Sequence, residues 1–413
     1  MTAARPYIPR PGERAPTAPR FKQTRAARLR IWWREIDRVL LALVLVLMAL
    51  GSVAVAAASP ASARRLSGAS GKIGDLYFFW AHLRWQAFGL AAMFTASLAP
   101  RDVARRGGIV LGAAMLGFLL LVPFVGAEVN GAKRWIDLIV FRFQPSEFLK
   151  PAYAILMAWV LSWKLRDPSL PVIGASVGLM GLVVVLLMAQ PDLGDALLFV
   201  GVWLVLAVLA GMPVKRIGMA AGGGAGALIL AYMFYDNARH RIDSFLGGGT
   251  AFDQVDLASR TLLAGGWTGK GLWLGQRKMQ LPEAHTDYIF SVIGEEFGLL
   301  VCGLVVLLYL AIVLKVIVRL IEEENLFTVL AASGLIALFG GQAFINILVN
   351  LQLFPSKGMT LPLVSYGGSS TIALCLTVGL LLALTRRNPY LPRNRFDWLS
   401  LLPEPGRRKG GKA

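Results

Sequence analysis

The chain has 413 residues, of which 56% are hydrophobic and only 16% are charged, and its mean hydropathy is +0.61. Because soluble domains usually carry about 25% charged residues, this composition excludes an ordinary soluble domain and indicates a membrane protein. The formal net charge of +18 would suit nucleic-acid binding only if the basic residues were gathered on one folded face. Most Lys and Arg residues instead lie in two tails and in short loops between apolar segments, which is typical of the cytoplasmic side of membrane proteins.

Ten apolar segments follow a basic N-terminal tail. The first, Leu40–Ala58, has no charged residue over nearly the roughly 20 residues that a helix needs to cross a bilayer. The predicted fold class is an all-α integral membrane protein with about ten transmembrane helices within residues 37–389. These helices are predicted at about 38–58, 76–98, 108–126, 147–164, 171–189, 193–211, 215–235, 287–320, 327–352 and 363–385. An even number of crossings places both tails on the cytoplasmic side.

Two tails and one long loop lie outside these segments. Residues 1–36 and 390–413 are basic, and the first of these tails is predicted to be disordered because it has little apolar content. The loop at 236–286 joins the seventh and eighth spans on the extracytoplasmic side. It is far longer than an ordinary connection and is therefore expected to be functional. Its apolar stretches are broken by glycines, which predicts interfacial or re-entrant pieces shielded by protein or water.

Two ionisable residues lie near the start of the fourth predicted span. Either Pro145 opens this helix as its first residue or Ser146 caps it. Glu147 and Lys150 then lie three residues apart on one helix face. Charged groups inside a membrane are costly, and two interpretations fit: an ion pair that fixes helix packing, or a pair that lines a polar groove reached by substrate. Asp192, in a tight turn, is interpreted as the cap of the sixth span.

Several cations on the predicted outer face break the positive-inside pattern. Lys133 and Arg134 precede the fourth span, Arg239 and Arg241 begin the long loop, and Lys357 lies in a short turn between the ninth and tenth spans. Contact with lipid head groups is the simpler interpretation. The alternative is a site for a phosphate-bearing substrate, since Arg binds phosphate through two parallel hydrogen bonds.

The segment 281–290 ends the long loop and contains His285 and Asp287. Either Thr286 or Asp287 caps the eighth span, or Asp287 acts as a general base at the boundary between water and membrane. Ser365 and Ser369 lie in a stretch of small residues that opens the last span. Such residues either let helices pack closely or leave room for a bulky lipid or sugar.

Six motifs of this chain resemble those of the SEDS family (shape, elongation, division and sporulation). They are NGAKRW, QPSEFLK, QPDLG, LPEAHTD, GEEFG and PLVSYGGSS, in the order and at the spacing of that family. The resemblance covers nearly everything from about Ile36 to Pro389, and the segment Pro355–Pro362 favours the division branch over the elongation branch. Leu348 and Gln352 depart from the family pattern, which usually has glycine there, so helix packing is expected to differ locally.

The resemblance implies a reaction. The protein is expected to be a peptidoglycan glycosyltransferase that polymerises lipid II, a disaccharide-pentapeptide on undecaprenyl pyrophosphate, into glycan strands during cell division. Asp287 matches the loop aspartate of the family and is implied to be the general base. Cations near the leaving pyrophosphate are expected to stabilise the transition state. The residues implied to bind substrate or shape its cavity are Arg134, Lys357, Lys133, Arg239, Glu147, Lys150, His285, Ser365 and Ser369.

The resemblance also implies partners and a location. A class B penicillin-binding protein of the FtsI type is expected to cross-link the strands, together with other division proteins, at the septum of the bacterial inner membrane. The sequence requires no cofactor, although a divalent cation such as Mg²⁺ is compatible with the pyrophosphate. A lipid II flippase, an elongation polymerase of the same family and a scaffold are the alternatives. The gathering of charges at the outer face favours chemistry there over a path through the bilayer.

Overall fold

The computed structural model describes residues 24–67, 73–129, 132–137, 142–165, 167, 169–234, 239, 242–243, 247, 254–355 and 358–387. Most of this part of the chain is helical. Its helices are α1 (Arg25–Glu35), α2 (Arg38–Leu66), α3 (Tyr77–Leu98), α4 (Arg101–Val125), α5 (Pro145–Ser162), α6 (Val172–Met188), α7 (Leu193–Leu209), α8 (Val214–Phe234), α9 (Gln254–Ala264), α10 (Ile289–Leu320), α11 (Leu326–Asn350) and α12 (Gly368–Leu384). Its strands, paired antiparallel in the order β1-β2-β3, are β1 (Ala127–Val129), β2 (Ala132–Asp137) and β3 (Arg142–Phe143).

Apart from α1 and α9, the helices of the described residues coincide with the predicted apolar segments. Four of them, α2, α4, α10 and α11, are long and apolar enough to cross a membrane. Three more, α6, α7 and α12, are apolar helices of 17 residues each. The all-α membrane fold is therefore confirmed, whereas the number of ten crossings stays a prediction.

Helix α1 differs from the disorder predicted for residues 1–36. Its N-cap Thr24 accepts a hydrogen bond from the amide of Ala27. Trp32 anchors the helix to α3, because its indole Nε1 donates to Ser97 Oγ at 3.0 Å and its ring meets that of Phe94 edge to face. A tertiary contact thus supports a basic helix that composition alone did not predict. Residues 1–23 and 388–413 lie outside the described residues.

One end of the bundle, called here the tail end, gathers the residues next to both tails. Asp37 caps α2 through Val39 and Leu40 and pairs with Arg319 at the end of α10, with an N–O distance of 3.3 Å. The amide of Arg387, just after α12, donates to the carbonyl of Glu35 at 3.3 Å. The described residues therefore place both tails at the same end, as the charge pattern predicted. The opposite end, where α5, α7 and α10 begin, is called the loop end.

Helix α5 lies at the centre of the bundle, packed against α4, α11 and α12. Small residues allow these close contacts. A Cβ at Gly334 of α11 would lie 3.0 Å from that of Ala154, and a Cβ at Gly108 of α4 would lie within 2.9 Å of Ile155. Burying α5 in this way carries its polar first turn, which includes Glu147 and Lys150, into the interior.

Helix α10 is interrupted at Gly298, whose φ of +84° breaks the helical hydrogen-bond pattern. The long loop supplies the missing partners. The amides of Lys270 and Gly271 donate to the carbonyls of Glu295 and Glu296, each at 2.9 Å, and the amide of Leu299 donates to the loop in return. Backbone groups at membrane depth must be satisfied within the protein, so the second half of the loop and the broken helix form one unit.

Candidate active site

Asp287 lies at the loop end, immediately before α10. The N-cap position of α10 is occupied by Tyr288 and not by Asp287, and the Tyr288 side chain makes no capping bond. Its side chain is partly exposed, and Oδ2 lies 3.5 Å from where a Cβ on Gly358 would stand. The two residues share a small recess with neighbours from α11 and from the segment after Gly358.

Lys357, a cation predicted to bind substrate, lies outside the described residues. It directly precedes Gly358 in the chain. Gly358 has a φ of +65°, and the adjacent Met359 is buried against α11. The peptide that follows Lys357 is thus fixed next to Asp287.

His285 and Ser365 hold this turn in place. His285 is buried, its Nδ1 lies 2.8 Å from Ser62 Oγ, and its ring packs on those of Phe78 and Tyr366. Burial lowers the pKa of His285 to about 4, so the imidazole is neutral at physiological pH. Ser365 Oγ donates to the carbonyl of Thr286 at 2.5 Å and accepts from the amide of Leu361. Substrate contact by either residue stays a prediction.

Arg134, on strand β2, contacts the turn between α6 and α7 and so forms a second cluster at the loop end. Its Nε donates to the carbonyl of Gln190 at 2.9 Å, an Nη donates to the carbonyl of Pro191, and Nη1 lies 3.7 Å from Asp192 Oδ2. Asp192 caps α7 by accepting from the amide of Asp195, which confirms the predicted cap. Burial raises the pKa of Asp192 to about 6, against the opposing effect of Arg134. The guanidinium therefore joins strand β2 to this turn.

Glu147 and Lys150 form a buried cluster with a third residue. Pro145 is the first residue of α5, as one of the two predicted starts required. Lys150 Nζ lies 2.8 Å from Glu147 and 3.1 Å from Asp195 of α7, and the side chains of Lys150 and Asp195 are only 5% and 4% exposed. The predicted ion pair between Glu147 and Lys150 is present within α5, and Asp195 connects it to α7.

Lys133, Arg239 and Ser369 are the other predicted site residues within the described part of the chain. Lys133 is exposed on β2, and Arg239 is exposed and lies 3.9 Å from Asp243. Ser369 is buried in the first turn of α12, and its hydroxyl has no hydrogen-bond partner within the described part of the chain.

The two glutamates of the GEEFG motif bind residues of the long loop. Glu295 and Glu296 are completely or almost completely buried. Glu295 accepts from the amides of Arg277 and Lys278, at 2.8 and 2.9 Å, and Glu296 accepts from the amide of Gly275 and pairs with the buried Lys278 ammonium. Lys278 also donates to a carbonyl of α2. These carboxylates therefore fix the loop that leads to Asp287.

Fold and site together define a class: a multi-pass helical membrane protein with a carboxylate-bearing turn at one end of its bundle. A family model described as "Cell cycle protein", covering FtsW, RodA and SpoVE, matches residues 37–390. The chain belongs to this family, the SEDS family.

Relatives with assigned names cover nearly the same length. The chain is 35% identical over 374 residues to a "Probable peptidoglycan glycosyltransferase FtsW" of Caulobacter vibrioides, covering 89% of this chain and 94% of that one. It is also 35% identical to the protein of the same name from Alkalilimnicola ehrlichii over 397 residues, covering 92% and 94% of the two chains.

Solved structures share the fold. One, described as "Structural coordination of polymerization and crosslinking by a peptidoglycan synthase complex", has a TM-score of 0.71 at 28% identity, covering 86% of this chain and 98% of that chain. The rod shape determining protein RodA of Thermus thermophilus has a TM-score of 0.63 at 27% identity, covering 86% and 97% of the two chains.

Sequence reasoning missed four polar residues that the structure places around the site. Asp195 was not predicted to pair with Lys150, although it follows Asp192 by three residues. Gln342, Asn346 and Asn350 recur every four residues on α11. Amides at helical spacing in an apolar segment were an available signal, because polar groups in a membrane helix need partners.

Proposed function

We propose that this protein is a peptidoglycan glycosyltransferase that polymerises lipid II into glycan strands for the septal wall. The named relatives and the shared fold support this assignment. The observation that carries it is the position of Asp287: a partly exposed carboxylate at the loop end, beside the peptide that follows Lys357. This arrangement suits a reaction that needs a base and a cation where a lipid-linked substrate meets water.

Asp287 serves as general base in this proposal. Its carboxylate takes the proton from the 4-hydroxyl of the acceptor sugar while that oxygen attacks the anomeric carbon of the donor. The bond between the anomeric carbon and the pyrophosphate breaks, and undecaprenyl pyrophosphate leaves with the bonding electrons. Lys357 stabilises the negative charge that grows on the leaving group, which lowers the barrier because the interaction strengthens in the transition state.

Arg134 takes a different part in the same proposal. Its contacts with two carbonyls and with Asp192 use the guanidinium donors to hold the turn before α7. That turn positions Asp195, which pairs with Lys150. We therefore expect Arg134 to support the site through this turn as well as through any phosphate it meets.

The test compares two carboxylates four residues apart. In a purified assay with lipid II, Asp287→Asn is expected to abolish strand synthesis, whereas Glu283→Gln should keep it, because the Glu283 side chain is exposed and accepts a hydrogen bond from Thr286 in its own turn, which glutamine can also accept. Strands are separated on a gel at matched protein levels. Near-normal synthesis by Asp287→Asn would overturn the assignment of the base.

A transpeptidase partner follows from the same proposal. One similar structure is described as a synthase complex that coordinates polymerisation and crosslinking. We infer a single-span class B penicillin-binding protein of the FtsI type, acting with other division proteins at the septum of the inner membrane. A divalent cation such as Mg²⁺ remains compatible with the chemistry, and strand synthesis with and without EDTA tests its contribution.

The flippase alternative is less well supported by the interior of the bundle. Transport would need a polar path through the bilayer, and the buried cluster of Glu147, Lys150 and Asp195 is its natural candidate. Those side chains are nearly inaccessible and paired with one another. Strand synthesis by the purified protein decides between the two, since a flippase makes no glycosidic bond.

A further inference from the structure

Helix α11 carries three amide side chains that face the same way. Gln342, Asn346 and Asn350 are spaced by four residues, which places them on one helix face, and they are 1%, 2% and 0% exposed. A buried amide costs free energy unless it is hydrogen-bonded. We call these three residues the amide ladder, and their partners show what the ladder holds.

The middle residue bridges two separate segments. Asn346 Nδ2 donates to the carbonyl of Asp287 at 2.8 Å and to the carbonyl of Met359 at 2.6 Å. One amino group thus holds together the turn that carries the proposed base and the segment that follows Lys357. Only a side chain with two N–H donors at this place satisfies both carbonyls.

The outermost residue fixes the same turn from the other side. Asn350 Nδ2 also donates to the carbonyl of Asp287, at 3.2 Å. Its Oδ1 accepts from the amide and hydroxyl of Ser291, at 3.2 and 2.7 Å. The first turn of α10 lacks a side-chain cap of its own, so Asn350 supplies a cap from a neighbouring helix.

The innermost residue joins the ladder to the buried cluster. Gln342 Nε2 donates to the carbonyl of Thr360 at 3.0 Å, and its Oε1 accepts from Lys150 Nζ at 3.4 Å. The ladder therefore spans from the cluster of Lys150, Glu147 and Asp195 to the turn at Asp287.

We propose that the amide ladder is the positioning device of the site, with Asn346 as its central positioning residue. It sets the carboxylate of Asp287 against the segment that follows Lys357, and it does so through backbone carbonyls. This inference rests on the proposed function only for its effect on catalysis; the clamp itself can be tested without substrate. A displacement of about 1 Å of a catalytic group can lower a rate about a hundredfold.

The catalytic arm uses variants of nearly constant size. Asn346→Asp places oxygen lone pairs opposite two carbonyls, and Asn346→Leu removes both donors. We expect kcat to fall about tenfold to a hundredfold in each, with KM for lipid II within about twofold of wild type. Thr328→Val is the matched control, because Thr328 is a buried polar residue of the same helix at the tail end. It should keep wild-type kcat.

Combining variants at Asn346 and Asp287 distinguishes a positioning role of the ladder from a general loss of structure. In the Asp287→Glu background, which keeps a carboxylate but shifts its position, the remaining synthesis should fall no further when Asn346→Leu is added, since the ladder acts by placing that carboxylate. An additional fall, a raised KM with normal kcat, or synthesis within about threefold of wild type in Asn346→Asp would overturn the proposal.

The structural arm needs no substrate. Hydrogen–deuterium exchange should rise about tenfold at 286–291 and 358–361 in Asn346→Asp and stay unchanged in Thr328→Val, because opening of the clamp exposes those amides. Unchanged exchange in Asn346→Asp would refute the clamp even if the wild type polymerises lipid II. Raised exchange in a protein that makes no strands would keep the clamp and refute the proposed function instead.

Discussion

At the scale of single residues, the loop end contains charged side chains of two kinds. Lys278, Glu296 and Arg134 direct their polar atoms at backbone and at one another, and they hold loops and turns. Asp287 keeps a carboxylate that is partly exposed while its backbone carbonyl is held from α11. We assign the base to Asp287 because its carboxylate is partly exposed at the loop end while its backbone is fixed.

The first prediction concerns Lys357, which stays a prediction from sequence. Lys357→Ala should remove roughly 2–4 kcal/mol of transition-state stabilisation, judged by the loss of one oxyanion donor in other enzymes. That corresponds to about a hundredfold fall in rate. Lys357→Arg should keep more activity than alanine but less than wild type, because a planar fork replaces a compact ammonium.

The control for Lys357 is another cation at the same end. Arg142 is half exposed and pairs with Asp137 at 2.6 Å; Arg142→Ala should leave strand synthesis near wild type. A Lys357→Ala variant within about threefold of wild type, which is under roughly 1 kcal/mol, would place Lys357 outside the site.

The second prediction is a pH dependence from His285. The pKa of this buried imidazole is lowered from 6.5 to about 4, so the folded protein favours the neutral form. Its contribution to stability is complete above pH 6.5 and is lost as the pH falls toward 4, because the unfolded chain takes up a proton first. The full loss is about 3 kcal/mol. Thermal unfolding in detergent should show this decline in wild type and a flatter profile in His285→Asn. Parallel profiles would contradict the prediction.

At the scale of elements, the long loop and α10 depend on each other. Gly298 interrupts the helix, and loop residues from Gly265 to Gly271 approach its backbone so closely that a Cβ at Gly269 would lie 2.2 Å from the carbonyl oxygen of Glu296. The carboxylates of Glu295 and Glu296 then bind the next part of the loop. The GEEFG motif therefore holds the long loop through both its backbone carbonyls and its carboxylates.

The third prediction compares two glycines of α10. Gly298 has a φ of +84°, and a Cβ there would lie 2.3 Å from the carbonyl oxygen of Trp267, whereas a Cβ at Gly303 would meet nothing within 4 Å. Gly298→Ala should cost about 1–3 kcal/mol from the backbone alone and loosen the loop. Gly303→Ala should be neutral or slightly stabilising, since alanine favours helix by about 1 kcal/mol. Thermal unfolding measures the stability of each variant, and proteolysis measures how loose its loop is. Equal behaviour of the two variants would argue against the dependence of the loop on the break at Gly298.

At the scale of the whole molecule, the two ends of the bundle have different tasks. The tail end is held by ion pairs and caps that join the neighbours of both tails, such as Asp37 with Arg319. The loop end carries Asp287, the amide ladder that fixes it and the interlocked loop. The chain described between these ends is mostly helical.

The fourth prediction concerns the proposed partner. One similar structure is described as a synthase complex that coordinates polymerisation and crosslinking, so we expect the chain purified from native membranes to bring with it a class B penicillin-binding protein. Adding that partner should raise strand synthesis. Full activity of the isolated chain, unchanged by any such partner, would contradict the prediction.

The sequence by itself determined the membrane class, the positions of the apolar helices along the chain and the family. It also predicted that both tails lie on the same side of the membrane. Each of these depends on local composition or on the order of motifs, which a linear reading contains. The ion pair between Glu147 and Lys150 was also predictable, because residues three apart share a helix face.

Only the tertiary structure decided which polar groups meet. Lys150 pairs with Asp195 from another helix, and the carbonyl of Asp287 is held by Asn346 and Asn350, about sixty residues away along the chain. Helix α1 forms where composition predicted disorder, because Trp32 docks on α3. These outcomes depend on which helix faces pack together, and the periodicity of one helix fixes its own polar face but not the neighbour that covers it.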